Sequence, residues 1–261
     1  MPGTGLEVAV KKVSHDSREG MREFVTEVSS LGRMSHRNLV QLHGWCRRGG
    51  DLLLVYEFMP NGSIDGFLFY VKAGCLSWEQ RFNILKGIAS GLLYLHEEWG
   101  QVVVHRDVKA SNVLLDGDLN GRLSDFGLAR LYEHGTNPKT THIVGSFGYM
   151  APELSRTYKS TTSSDVYSYG ALVLECRGRR PFEPGRPSEE IILVELVDSL
   201  WKGGRILDAM DKKFLNGDGS VQEYLNYKDS VIQDDIGMDQ LILQYPSPDK
   251  VSTTFRTLHN I

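Results

Sequence analysis

Two aspartates, two lysines and an asparagine in this 261-residue chain stand where they could move a phosphoryl group. The segment His105-Arg106-Asp107-Val108-Lys109-Ala110-Ser111-Asn112 gathers a carboxylate, a cation and an amide within a few residues. Phosphoryl transfer needs a carboxylate to orient the attacking hydroxyl and accept its proton, a task Asp107 can perform. Lys109 can neutralise charge on the transferred group, and the amide oxygen of Asn112 is a hard ligand suited to magnesium. Asp125-Phe126-Gly127 follows, and Asp125 offers a second hard oxygen ligand before a turn glycine. Upstream, Val8-Ala9-Val10-Lys11 places a lysine on a strand-like run.

The elements that must position these groups are legible from period and punctuation. Leu6 to Val13 alternates as a half-buried strand, and Met21, Phe24, Val25, Val28 and Leu31 recur at helical spacing behind the capping residues Asp16 and Ser17. Leu39 to Cys46 and Leu52 to Phe58 read as two more strands, joined at Gly49-Gly50. Pro60-Asn61-Gly62 ends this strand-rich part. Ser77 to Gln80 forms a capping box that opens a helix with Phe82, Leu85, Ile88, Ala89, Leu92 and Leu95 on one face. Short apolar pieces separated by charged and glycine-rich turns fill 102–130, and Thr162 to Cys176 and Glu189 to Trp201 have the helical period. The polar stretch after Leu215, with Pro246 and Pro248, is expected to pack poorly.

Composition narrows the function classes. Hydrophobic residues make up 41% and charged residues 24%, which is a globular balance, and a net charge of -4 gives no electrostatic reason to expect nucleic acid as a partner. Three cysteines without C-x-x-C spacing (Cys46, Cys75 and Cys176) argue against a disulfide framework or a cysteine zinc site and suit a reducing compartment. No run has the length of a membrane span and the first residues lack a signal-peptide core, so the chain by itself is expected in the cytoplasm. His96-Glu97-Glu98 lacks the second histidine of a zinc-protease helix, because Gly100 stands there, and Gly3-Thr4-Gly5 lacks the third glycine of a dinucleotide loop.

The spacing of His105-Arg106-Asp107 through Asn112, Asp125-Phe126-Gly127 and Ala151-Pro152-Glu153 resembles that of the eukaryotic protein kinases. Residues 6–215 look most like the kinase domain of plant receptor-like kinases, particularly the lectin-domain receptor kinases. The segments that carry this likeness are Glu7 to Lys11, Ser14-His15-Asp16-Ser17-Arg18, His36 to Leu42, Met59-Pro60-Asn61-Gly62-Ser63, Asp107 to Leu115 and Thr140 to Tyr149. The resemblance implies an α+β, two-lobed protein-kinase fold with an incomplete N-lobe sheet and a mainly helical C-lobe. Its divisions would be a partial N-lobe over 1–59, a C-lobe over 60–215 and a weakly structured tail over 216–261. It further implies transfer of the γ-phosphoryl group of ATP, with magnesium, to serine and threonine hydroxyls of protein substrates. Receptor kinases are expected partners, and full-length relatives are expected at the plasma membrane with this domain facing the cytosol.

Residue by residue, the resemblance makes Asp107 and Lys109 catalytic and Asn112 and Asp125 metal ligands. Lys11 would hold the phosphates and needs a carboxylate from the next helix. Glu27, beside the apolar face of Phe24, Val28 and Leu31, is the choice. Tyr56 would guard the back of the adenine pocket, the backbone of Glu57 and Met59 would bond the base, and Ala9 and Leu114 would sandwich it. Ser146 would bridge the catalytic aspartate and lysine. Arg106 would receive a phosphate carried by Thr140 or Thr141, with Thr136 a weaker acceptor.

Two departures from the family pattern set further expectations. Only ten residues precede Lys11 and none forms the G-x-G-x-x-G phosphate lid, so the chain as given is expected to bind ATP poorly and to leave two sheet edges exposed. After Asp208-Ala209-Met210-Asp211 the sequence moves straight to a later helix, leaving Glu153 without its usual arginine, since Arg186-Pro187 falls too early. A buried Glu153 without that partner would be destabilising. Such a chain could be an incomplete copy of an active kinase or a short kinase-fold module that partners receptor kinases; the intact Lys11, Glu27, Asp107, Asn112 and Asp125 favour the former.

Overall fold

A computed structural model describes residues 5, 7–14, 17–48, 50–70, 76–136 and 143–209. Its smaller part is a three-stranded antiparallel sheet with one helix. Strand β1 (Val8–Val13) is followed by helix α1 (Arg18–Leu31), then β2 (Leu42–Arg48) and β3 (Asp51–Glu57). The strand order is β1-β3-β2, with Lys11 opposite Leu54, so β1 and β2 are the outer strands. Ser17 caps α1 by accepting from the Gly20 N–H at 2.9 Å, as its residue type leads one to expect.

The larger part is mainly helical. It runs through α2 (Ile64–Phe69), α3 (Trp78–Leu93) with a π-helical turn at Tyr94–Glu98, and β4 (Val102–Val104). A 3-10 turn at Ala110–Asn112 leads into β5 (Val113–Leu115), β6 (Gly121–Leu123) and β7 (Arg130–Tyr132). Helices α4 (Leu154–Thr157), α5 (Thr162–Glu175) and α6 (Leu193–Lys202) complete it. Two small hairpin-like sheets, β4 with β7 and β5 with β6, hold the loops between them. The capping box of α3 forms as expected, and Leu85, Ile88, Ala89, Leu92 and Leu95 are buried.

Two predicted elements shift, each for a visible reason. The second strand begins at Leu42 instead of Leu39, because the residues before it pair with β6. The Val40 N–H donates to the Leu123 carbonyl at 2.9 Å, and the Leu123 N–H to the Asn38 carbonyl at 2.8 Å. The last helix begins at Leu193 instead of Glu189, because Ile192 is extended, bridges Phe182, and is followed by a Leu193 N–H bond to the Pro181 carbonyl. Leu6, at the start of the first predicted strand, and the tail from 210 onward lie outside the described residues.

One core runs through both parts. Leu31, Leu52 and Leu54 from the sheet side join Ile84, Ile88, Leu115, Leu123, Phe126 and Leu172 from the helical side. A smaller cluster, Leu174, Leu193, Leu196, Val197, Leu200 and Ala209, seats α6. The continuity matters because it fixes β1, which carries Lys11, against the loops that carry Asp107 and Asp125.

Candidate active site

Lys11 lies in β1 between the buried Val13 and the half-buried Ala9, while Val10 between them is exposed. Its ammonium meets Glu27 Oε2 of α1 at 3.1 Å and Asp125 Oδ1 at 2.7 Å. Burial works against the Lys11 charge, but Glu27 and Asp125 outweigh it and raise the pKa above the usual lysine value. For Asp125 burial again opposes charge, and the Lys11 ammonium wins, holding the carboxyl below the usual range. Glu27 is only 1% exposed, so Lys11 is what makes its charge tolerable there. The Tyr56 hydroxyl and Glu27 Oε1 are buried near each other without a well-formed hydrogen bond. Burial, then the Glu27 carboxylate, pushes the phenol up.

Asp107 sits in a closed polar triangle. The Ser146 hydroxyl donates to Asp107 Oδ1 at 2.8 Å, Lys109 Nζ lies 2.6 Å from Asp107 Oδ2, and Lys109 donates to Ser146 at 2.9 Å. Asn112 Nδ2 donates to the Asp107 carbonyl at 2.9 Å and to Asp107 Oδ2 at 3.0 Å. The Ser124 N–H and hydroxyl both donate to the Asn112 carbonyl at 2.9 Å, which couples the asparagine to the residue before Asp125.

The backbone that presents Asp107 is held from below by Asp165 of α5. Its carboxylate accepts from the His105 N–H at 2.7 Å and the Arg106 N–H at 2.8 Å, and meets His96 Nε2 at 3.0 Å. Arg106 adopts φ 74°, a left-handed conformation a non-glycine residue keeps only when its surroundings enforce it. Phe126 is fully buried and packs edge-on against His105 with centroids 4.7 Å apart. Gly127 permits the approach of α1: a Cβ there would stand 3.3 Å from the Glu23 Cβ.

The remaining predicted residues fall as follows. Ala9 and Leu114 are partly buried against the core, and Met59 is buried. The Glu57 N–H donates to the Gln41 carbonyl at 3.0 Å, so only its carbonyl is left among its backbone groups to meet a base. The Met59 carbonyl accepts from Gly62 at 3.2 Å, while the Met59 N–H makes no backbone bond among the described residues. Arg106 donates to Ser160 Oγ at 3.1 Å and the Leu128 carbonyl at 3.2 Å. Thr140 and Thr141 lie outside the described residues; Thr136 donates to the Glu133 carbonyl at 2.7 Å. Glu153 is half-buried at the N-terminus of α4.

Several functional residues were not picked from the sequence. Asp165 had a signal, a carboxylate within the apolar period of α5, and it is 1% exposed. Arg130 and Arg22 had none. Burial, then the charge of Arg130 and more weakly that of Arg22, lowers the Arg106 pKa against the opposing pull of Tyr132 and Asp165. Tyr149 donates to Glu175 Oε2 and accepts from the Ala110 N–H at 3.5 Å, tying the segment after Ser146 to the catalytic loop. Burial pushes the Glu175 carboxyl up to about 7. No group of three or more metal-binding side chains occurs among the described residues. Asn112 and Asp125 are two oxygen donors, a number suited to magnesium that takes its other ligands from phosphates and water. No described helix is long and apolar enough to cross a membrane.

The protein kinase domain model matches residues 2–215. The L-type lectin-domain containing receptor kinase IV.2 of Arabidopsis thaliana is 60% identical over 225 residues, covering 85% of this chain and 33% of that protein. Receptor kinase IV.1 of the same plant is 61% identical over 81% of this chain and 32% of its own length. The lectin-domain receptor kinase SIT2 of Oryza sativa subsp. japonica is 59% identical over 84% of this chain and 32% of its length. The chain thus spans about a third of the length of these relatives.

Proposed function

The chain belongs to the protein kinase domain family, and on that premise we propose that it transfers the γ-phosphoryl group of magnesium-ATP to serine and threonine hydroxyls of proteins. The observation that carries the reading is the Asp107–Ser146–Lys109 triangle. Asp107 orients the acceptor hydroxyl and takes its proton as the new oxygen–phosphorus bond forms and the bond to the ADP oxygen breaks. Lys109 faces the transferred group and offsets its charge. Lys11, fixed by Glu27, holds the nucleotide phosphates. Asn112 and Asp125 would hold the metal. Magnesium, when bound, neutralises phosphate charge. Ala9 and Leu114 enclose the base, with the Glu57 carbonyl and Met59 N–H at its edge.

The serine/threonine reading is supported by Lys109 and by the hydroxyl of Ser146 at the position where it reaches both Asp107 and Lys109. Regulation follows from charge. Arg106 is the receptor for phosphate on Thr140 or Thr141. The L-type lectin-domain receptor kinases supply the setting. A signalling role at the plasma membrane, with the kinase part on the cytosolic side, is the reading their names favour for this chain. The test is phosphate transfer from labelled ATP to a serine- or threonine-containing protein. Asp107→Asn is expected to reduce turnover by about 10²- to 10⁴-fold, with nucleotide binding kept. Turnover unchanged by Asp107→Asn would sink the assignment.

A further inference from the structure

Glu57, the last residue of β3, is held by more than its strand. It exchanges two bonds with Gln41: its N–H donates to the Gln41 carbonyl at 3.0 Å, and its Oε1 accepts from the Gln41 N–H at 2.7 Å. Arg122 of β6 then grips the same carboxylate, with Nη1 at 3.2 Å from Oε1 and 3.3 Å from Oε2. The other edge of the guanidinium meets Asp116 Oδ2, with Nη2 at 3.2 Å and Nε at 3.3 Å. Asp116 divides its work. Its Oδ1 accepts from Asp118 N–H at 3.0 Å and Asn120 N–H at 2.9 Å, closing the β5–β6 turn, and its Oδ2 is shared between Arg122 and the Asn120 side-chain amide, whose Nδ2 lies 3.2 Å away. Burial opposes the Asp116 charge, but the Asn120 and Asp118 donors and Arg122 prevail and keep its carboxyl below the usual range.

We propose that Arg122 is a positioning residue for the base, tying the end of β3 to the β5–β6 hairpin so that the backbone of residues 57–61, the hinge, stands at a fixed distance from Leu114. The inference rests on the nucleotide-binding reading above. Arg122 lies directly opposite Leu114 in the β5–β6 register, and directly opposed residues share a face of an antiparallel pair. Its stem therefore runs beside the floor of the pocket while its head holds the hinge. The exit of the hinge is clamped on the same hairpin. Asn61 Nδ2 donates to the Asp116 carbonyl at 2.6 Å, and the Leu115 N–H donates to the Gly62 carbonyl at 2.7 Å. Met59 lies between these two anchors. A planar guanidinium can serve two carboxylates on its two edges at once, which an ammonium cannot match. The three side chains are 24%, 21% and 14% exposed, so this network is screened less than an open surface pair.

The experiment measures adenosine and magnesium-ATP affinity of the full chain by calorimetry, for wild type, Arg122→Gln, Arg122→Lys and Glu57→Gln. Amide hydrogen exchange at Met59 and Asn61 is followed in parallel. Arg122→Gln is expected to weaken adenosine and ATP by the same factor, about tenfold, or about 1.4 kcal/mol. Arg122→Lys should fall between, and Glu57→Gln should match Arg122→Gln. Exchange at Met59 should rise in both glutamine variants, ligand or no ligand. Affinities within twofold of wild type, weakening of ATP alone, or unchanged exchange at Met59 would each overturn the proposal. A wild type that binds neither adenosine nor ATP would instead overturn the nucleotide reading, leaving the exchange comparison to decide whether Arg122 holds the hinge.

Discussion

The site has two charged anchors built in opposite ways. Beneath the catalytic loop, Asp165 is buried, is 1% exposed, and is met by two backbone N–H groups and His96. At the sheet, Lys11 is 38% exposed on an outer strand and divides itself between a buried glutamate and the 44%-exposed Asp125. The first arrangement satisfies every group permanently and enforces the left-handed turn at Arg106. The second contains a pair open to solvent, so Asp125 would exchange Lys11 for another cation more readily than Asp165 could give up its buried partners. Rigid support under Asp107 and more open support at Lys11 suit the proposed function, in which nucleotide and metal would come and go.

Breaking the permanent anchor should have the largest effect on stability. Asp165→Ala leaves the His105 and Arg106 N–H groups and His96 without their acceptor in a dry interior. The expected loss is about 3–5 kcal/mol, read as a lower thermal midpoint, together with loss of transfer activity. A variant that melts with wild type would show that the loop keeps its shape by other means.

Glu175 gives the comparison a pH axis. It is 2% exposed, and its pKa is raised from 4.5 to about 7 by burial, partly opposed by the Tyr149 hydroxyl and Arg180. The folded state therefore holds a proton that the unfolded state has released between these values. Stability from this group is full below about pH 4.5 and falls as pH rises through about 7, by at most about 3 kcal/mol. Glu175→Gln mimics the protonated form, so its stability relative to wild type should grow from pH 5 to pH 8. A difference that stays flat across that range would place the Glu175 titration elsewhere.

The exchangeable anchor should separate activity from stability. In Glu27→Gln the buried charge disappears and Lys11 keeps Asp125, so the thermal midpoint should move little, within about 1 kcal/mol. Transfer should still fall at least about tenfold in kcat/KM, equivalent to about 1.4 kcal/mol, because Lys11 is no longer aimed. If Glu27→Gln melts as early as Asp165→Ala, the two anchors are of one kind and the contrast fails.

What the sequence made legible was proximity: Asp107 meets Lys109 and Asn112, Lys11 meets Asp125, and Glu27 is the partner of Lys11. Helices α1, α3 and α5 were legible because cap and period agree. Residues whose role exists only through distant contacts were not. Arg122 looks like any solvated arginine until β6 is laid beside the end of β3, and the charges of Arg22 in α1 and Arg130 in β7 reach Arg106 only in the folded chain. The misplaced starts of β2 and α6 have the same origin, since Val40 and Leu193 are claimed by the Leu123 and Pro181 carbonyls, which local pattern does not reveal.

The smallest effect tests whether stability alone can move the site. Ser77 caps α3: its hydroxyl accepts from the Gln80 N–H at 3.2 Å, and its own N–H donates to Gln80 Oε1 at 2.8 Å. Helix α3 contributes no side chain to the Asp107, Lys11 or hinge contacts described above. Ser77→Ala removes one of the two reciprocal bonds at an exposed helix end, which should cost about 1 kcal/mol or less. The KM for ATP and kcat should be unchanged at temperatures well below the melting transition. If this remote loss lowered activity as Glu27→Gln does, the activity loss in Glu27→Gln could no longer be assigned to the aim of Lys11. With Ser77→Ala active, a drop confined to Glu27→Gln belongs to the phosphate end of the site.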